Sequence, residues 1–312
     1  MCRADFRAAD PAVVRAVAPL VRGIGTRSGV ALANQATGDT TVLIAACGGE
    51  CADDRAASLF VRALLAMGSD PNLPNDRGHT ALAAAAAVGR TLTARVLIDA
   101  HARVDRVDDN GWTALMSASS NGHERCVRAL IKAGADVNGA ALMLACFYNH
   151  DQCARALIKA GAEVDHAANN GLTALMGACQ VGHEQCTRAL LKAGANVNYA
   201  KANGFTALML SCQNGHDQCA RALIKAGAQV DHMQEGFTAL MLSCLNGREL
   251  CARALIKAGA NLEATLPTGS TTLILSCQQG HELCARALIE AGADLDKVTD
   301  DGQSMSALFL AC

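Results

Sequence analysis

The sequence predicts an all-α repeat solenoid, a row of stacked helix-turn-helix units joined by β-hairpin-like fingers. Three observations point there. A block of about 33 residues recurs nearly word for word, as in GLTALMGACQVGHEQCTRALLKAGANVN and GFTALMLSCQNGHDQCARALIKAGAQVD, and such a period marks units that bury their apolar sides only against neighbours. Hydrophobic residues make up 51% of the chain but aromatics only 3%, so the interior must be built from Ala, Leu, Ile, Val and Cys, which suit closely packed helices. Thr and Gly recur at fixed places in the block, where helices begin and end.

Residues 1–35 precede the first unit and carry Arg3, Arg7, Arg15, Arg22 and Arg27 against Asp5 and Asp10. Asp10 followed by Pro11 is a helix start, so the segment reads as an N-terminal capping helix, with an organelle transit-like segment as the alternative. Residues 36–312 form the repeat domain. With the Thr of T-A-L-M as marker, its units begin at Thr41, Thr80, Thr113, Ala140, Thr173, Thr206, Thr238 and Thr271, with a truncated copy near Ser306. Within one unit, the Thr173 hydroxyl is placed to cap a short helix through Ala174, Leu175, Met176 and Ala178. Gly182 permits the left-handed turn that ends it. His183 and Glu184 open a second helix whose Ala189, Leu190 and Leu191 form the apolar stripe, and Gly194 closes it. The Asn- and Gly-bearing stretch from Ala195 to Phe205 then reads as an extended finger with a tight turn. Asn149 stands where other units have Gly in the first turn, as a residue that tolerates positive φ can.

The pattern G-x-T-A-L-M, then G-H, then A-L-[IL]-K-A-G-A-x-V-[ND] resembles the ankyrin repeat over residues 36–312, with eight near-complete copies. Where that family usually has T-P-L-H, this chain reads T-A-L-M, as at Thr113–Met116, so its junctions are expected to depend more on Met packing. Two irregularities depart from the pattern. Six extra residues between Thr41 and Thr80, within ECADDRAASLF, are expected to lengthen the first turn or the second helix. Six too few between Gly134 and Ala140 imply a missing finger, which would split the binding surface into segments 80–138 and 173–299.

The fifteen cysteines include pairs seven apart, such as Cys179/Cys186 and Cys212/Cys219, one in each helix of a unit. A disulfide ladder or a thiolate site is the sharp reading; small buried hydrophobes in a reducing compartment is the reading adopted, since no C-x-x-C occurs. The in-register His123, His150, His183, His216 and His281 lie a repeat layer apart, too far to share one ion, and are read as helix-start hydrogen bonders. Acids such as Glu184 stand four residues before arginines such as Arg188 on the second helix. That spacing makes a solvated ladder of i,i+4 pairs, with a basic stripe for an acidic partner as the competing reading.

Aromatic placement carries the functional reading. Trp112, Leu172, Phe205 and Phe237 stand just before the Thr marker, Tyr199 is on a finger, and Phe147 and Tyr148 end an inner helix. The resemblance implies that these positions line one concave groove, with stacking between fingers as the competing role. His166 and His232 fall on finger tips, and Gln180 and Gln213 offer hydrogen bonds at the rim. No catalytic motif or convergent acid–base site appears. A net charge of −2 leaves no footprint for nucleic acid or an anionic membrane, and no apolar run reaches the ~18 residues of a span. The expected function is a monomeric, cytoplasmic, non-catalytic scaffold without cofactor or metal, holding a protein or peptide partner in the groove. The alternatives are a targeting or regulatory fragment of a larger enzyme or ubiquitin-ligase subunit, and an organelle location if residues 1–35 are a transit peptide.

Overall fold

The computed structural model describes residues 36–37, 40–48 and 53–298. The segment 1–35 and the truncated copy near Ser306 lie outside the described residues. A two-residue hairpin, β1 (Ala36–Thr37) and β2 (Thr40–Thr41), leads into helix pairs in which a short inner helix precedes an outer one. The first four pairs are α1 (Val42–Gly48) with α2 (Asp54–Ala66), α3 (Ala81–Ala87) with α4 (Thr91–Asp99), α5 (Ala114–Ser120) with α6 (Glu124–Lys132), and α7 (Ala140–Phe147) with α8 (Asp151–Lys159). The next four are α9 (Ala174–Val181) with α10 (Glu184–Lys192), α11 (Ala207–Asn214) with α12 (Asp217–Lys225), α13 (Ala239–Leu245) with α14 (Glu249–Lys257), and α15 (Thr272–Gln278) with α16 (Glu282–Glu290).

The described residues fall into two compact units, one ending at Ala162 and one beginning at Glu163. In the first, α1, α3, α5 and α7 pack successively as an inner row and α2, α4, α6 and α8 as an outer row. In the second, α9, α11, α13 and α15 form the inner row and α10, α12, α14 and α16 the outer. Each helix pair contributes one fully buried leucine from either helix, for example Leu208 on α11 and Leu223 on α12. Burial of each such side chain stabilises the stack by about 2 kcal/mol. Of the methionines in the T-A-L-M motif, Met176, Met209 and Met241 are completely enclosed, whereas Met116 is half-buried.

Local signals sit where the sequence puts them. The hydroxyls of Thr80, Thr113, Thr173, Thr206, Thr238 and Thr271 each accept a backbone N–H three residues on, at 3.2–3.3 Å. Gly182 and Gly194 both take left-handed φ, 83° and 88°, and Asn149 does so at 64°. At the fourth pair Ala140 cannot cap, and the helix instead starts from Gly139 at φ 104°, ψ −152°, with no side-chain bond.

Both irregularities take physical form. Helix α2 runs 13 residues where every later outer helix runs nine, so four of the six extra residues extend the helix and the other two precede Asp54. Between α6 and α7 only 133–139 intervene, against 160–173 between α8 and α9, and the finger is missing there. The remaining long connections of the second unit close as fingers through single antiparallel bridges, Ala167 to Thr173, Ala200 to Thr206, Gln234 to Phe237 and Thr265 to Thr271.

Candidate functional site

Neighbouring repeats are tied at two levels inside each unit. At the helix level, the Nε2 of His123, His150, His216 and His281 donates to the carbonyls of Ala87, Ser120, Gln180 and Leu245, the ends of the preceding inner helices, at 3.0–3.1 Å. A carbonyl only accepts, so that nitrogen carries the proton. Arg90 replaces this histidine in the second pair, reaching the carbonyls of Ala46 and Cys47 from a buried position, and Arg248 does so at the Gln213 carbonyl. These bonds refine the helix-start role expected of the histidines: their partners belong to the previous repeat.

At the finger level, the side chain after the recurring apolar residue accepts the backbone N–H of the next finger. Asn72 takes Arg103, Asp105 takes Asp136, Asp165 takes Asn196, Asn198 takes Gln229, and Asp231 takes Asn261, all at 2.7–2.9 Å. The sequence reading assigned these residues no role. The signal was the repeated Val-Asp or Val-Asn at Val104-Asp105, Val164-Asp165, Val197-Asn198 and Val230-Asp231, with Asn72 following Pro71 instead.

The expected binding residues divide between the units. In the first, Trp112 is 36% exposed and Tyr148, which caps α7, is 51% exposed. Phe147 is half-buried and meets Tyr148 edge to face, with ring centroids 5.3 Å apart. In the second unit Leu172, Tyr199, Phe205 and Phe237 are half-buried, and the Lys201 ammonium sits 5.7 Å from the Phe205 ring centroid. His166 is exposed with Nδ1 3.7 Å from a Glu163 carboxylate oxygen, whereas His232 donates its Nε2 to the Gly204 carbonyl and ties two fingers together. Gln180 is exposed and Gln213 half-buried. The second unit's aromatics are therefore half-buried, while the first unit keeps Trp112 and Tyr148 in contact with solvent.

A cleft of about 280 Å³ lies in the first unit beside Trp112. Its floor is the alanine-rich α3, through Ala83, Ala84 and Ala87, and its rim holds His79, Asp108, Asn110 and Ser117. The Asp108 side chain is only 8% exposed; its Oδ1 accepts the backbone N–H groups of Asn110 and Trp112 at 2.9 and 2.8 Å, and its Oδ2 lies 2.9 Å from His79 Nε2. His79 escaped the sequence reading although it stands directly before Thr80, the register of Trp112, Phe205 and Phe237.

Eleven of the twelve cysteines among the described residues are buried and Cys277 is half-buried, and their contacts differ from the seven-residue spacing. Cys179 neighbours Cys219, Cys212 neighbours Cys251, and Cys244 neighbours Cys284, each joining an inner helix to the outer helix of the next repeat. The Thr187 hydroxyl lies 3.6 Å from Cys179 Sγ and 3.5 Å from Cys219 Sγ. Burial, then the adjoining Cys219, pushes the Cys179 thiol well above its ordinary range. Burial likewise pushes Cys47 up to about 12, against a smaller lowering by Arg90. Among the described residues no three His, Cys, Asp or Glu side chains gather as a metal site, and no helix is long and apolar enough to cross a membrane.

Tandem ankyrin-repeat family models, of three copies each, match residues 51–140, 138–201 and 199–265, and a single ankyrin repeat matches residues 268–300. Among solved structures the chain is similar to the human ASB11 ankyrin repeat domain, at 28% identity and a TM-score of 0.63, over 69% of this chain and 99% of that one. No curated protein matches it. Ankyrin repeats are generally protein–protein interaction modules, and the fold is typically a non-catalytic scaffold. From the 33-residue period, the Thr-capped helix pairs and these matches together, the chain belongs to the ankyrin repeat family.

Proposed function

We propose that this protein is a non-catalytic scaffold that holds a partner protein or peptide along its inner helices and fingers. The observation that carries the reading is the solvent-exposed Trp112 standing beside a cleft in the first unit. A tryptophan anchors an interface because it supplies a large, stiff contact area at low entropic cost. Tyr148, with Phe147 behind it, provides a second aromatic contact at the C-terminal end of α7. In the second unit Phe205, Phe237, Leu172 and Tyr199 act chiefly as finger packing, with exposed His166 and Gln180 as polar contacts. The protein works as a monomer, and its many buried thiols suit a reducing compartment such as the cytoplasm.

Two double variants separate these roles. Trp112→Ala with Tyr148→Ala is expected to lose partners recovered from native extract while keeping far-UV helicity. Phe205→Ala with Phe237→Ala is expected to lower the unfolding midpoint and leave the recovered set largely intact. Recovery of the same partners by the first variant would sink the proposal.

A further inference from the structure

We propose that the cleft between the fingers leading into α3 and α5 is a subsite for one basic side chain of the partner, an arginine before a lysine; this rests on the protein-binding reading above. The Asp108 carboxylate is nine-tenths buried, accepts two backbone N–H groups on Oδ1 and has the His79 Nε2 2.9 Å from Oδ2. The carboxylate is hydrogen-bonded, but no lysine or arginine pairs with it among the described residues. A carboxylate held this way on a low-dielectric wall projects negative potential into the space it lines.

The rest of the cleft fits the same occupant. Helix α3 reads ALAAAAA, and its Ala83, Ala84 and Ala87 leave room and bring no charge. At the corresponding places the second unit carries Met209, Leu210 and Gln213 on α11 and Met241, Leu242 and Leu245 on α13. An alanine floor accepts the aliphatic stem of a long basic residue. The Trp112 indole on the wall attracts a cation through the negative face of its ring. The volume, about 280 Å³, lies just under the roughly 300–1,000 Å³ of small-molecule sites, which suits one side chain and not a cofactor. Arginine leads because its flat guanidinium can stack on an indole while its N–H fork reaches a carboxylate, whereas lysine offers a point charge.

The test is selection of a random peptide display library on the intact chain, with binding of the recovered peptides followed by emission of Trp112, the single tryptophan. The expected result is one shared basic position whose replacement by norleucine weakens binding about ten-fold or more. Asp108→Asn, which retains an acceptor for the Asn110 and Trp112 N–H groups, should erase that preference with an unchanged unfolding midpoint. His79→Lys supplies a permanent counter-charge while leaving the carboxylate in place, and should reduce the same preference. Peptides that change Trp112 emission yet bind equally well with norleucine would overturn the basic subsite and leave the scaffold reading standing. Peptides that bind without touching Trp112 emission would also overturn the subsite. Recovery of no binding peptide would overturn both.

Discussion

Gly182 and Gly194 take nearly the same backbone conformation but stand in different surroundings. Both have left-handed φ, yet a Cβ at Gly194 would meet nothing within 4 Å, whereas one at Gly182 would overlap the His216 ring that donates to the Gln180 carbonyl. Gly194→Ala should therefore cost the conformational penalty alone, about 1 kcal/mol. Gly182→Ala should add the loss of an inter-repeat hydrogen bond, for about 2 kcal/mol or more in all. Urea unfolding midpoints check this; equal shifts for the two variants would show that the histidine bond contributes nothing. Cys47 supplies a second residue-level expectation. Its folded-state value, about 12, exceeds the ordinary 9.0 because of burial. The unfolded chain thus gives up its proton first as pH rises. Stability from this thiol is complete below about pH 9 and is lost progressively towards pH 12. Cys47→Ala should flatten that alkaline decline, by at most about 1.4 kcal/mol per pH unit.

Helix α2 shows what an irregular element can do for its neighbour. Its first-turn Asp54 accepts the backbone N–H groups of Leu92 and Thr93 at 2.7 and 3.1 Å and the Thr93 hydroxyl at 2.8 Å. Helix α4 has no side-chain cap of its own, so a carboxylate from the preceding outer helix satisfies its free N-terminal donors. Asp54→Ala should destabilise the first unit by about 1–2 kcal/mol, with hydrogen exchange of Leu92 and Thr93 accelerated before that of α6. Unchanged protection at those two amides would contradict the capping role. At the other irregular element, Gly139 lies in a backbone region open to glycine almost alone. Gly139→Ala should shift the start of α7 through backbone strain alone, since the added carbon meets only the Met116 Cε at an ordinary contact of 3.8 Å; a lower urea unfolding midpoint checks this.

At the scale of the whole molecule, six outer helices carry an i,i+4 acid–arginine pair, from Glu124–Arg128 to Glu282–Arg286, at 2.6–3.3 Å. All lie on the solvent-facing side of their helices, where screening leaves such pairs little weight in stability. Raising salt should leave the unfolding midpoint nearly unchanged, because stability comes from the leucine, alanine and cysteine interior. A large salt-induced drop would transfer that role to the surface ladder. Each compact unit also has its own inner and outer rows, and the fragment 163–312 should keep helical circular dichroism alone.

The period, the Thr caps, the glycine turns, the missing finger and the buried character of the cysteines were all legible in the sequence, because each follows from chemistry within a few residues or from a pattern repeated many times. The arginine pairs were legible for the same reason, being one helical turn apart. Contacts between repeats were not. His216 finds Gln180, Cys179 finds Cys219, Asp54 finds Leu92, and Asp108 finds His79 across roughly 30–40 positions. Pattern alone names the face on which such residues stand, not which neighbour they meet there. The aromatic register was likewise visible, but its division into exposed Trp112 and half-buried Phe205 and Phe237 depends on how closely successive fingers pack. The sequence by itself determined the repeating element and its family, since local hydrogen bonding and apolar spacing suffice for that. Only the tertiary structure decided where a carboxylate, an indole and an alanine floor converge, because that convergence is made by side chains from different repeats.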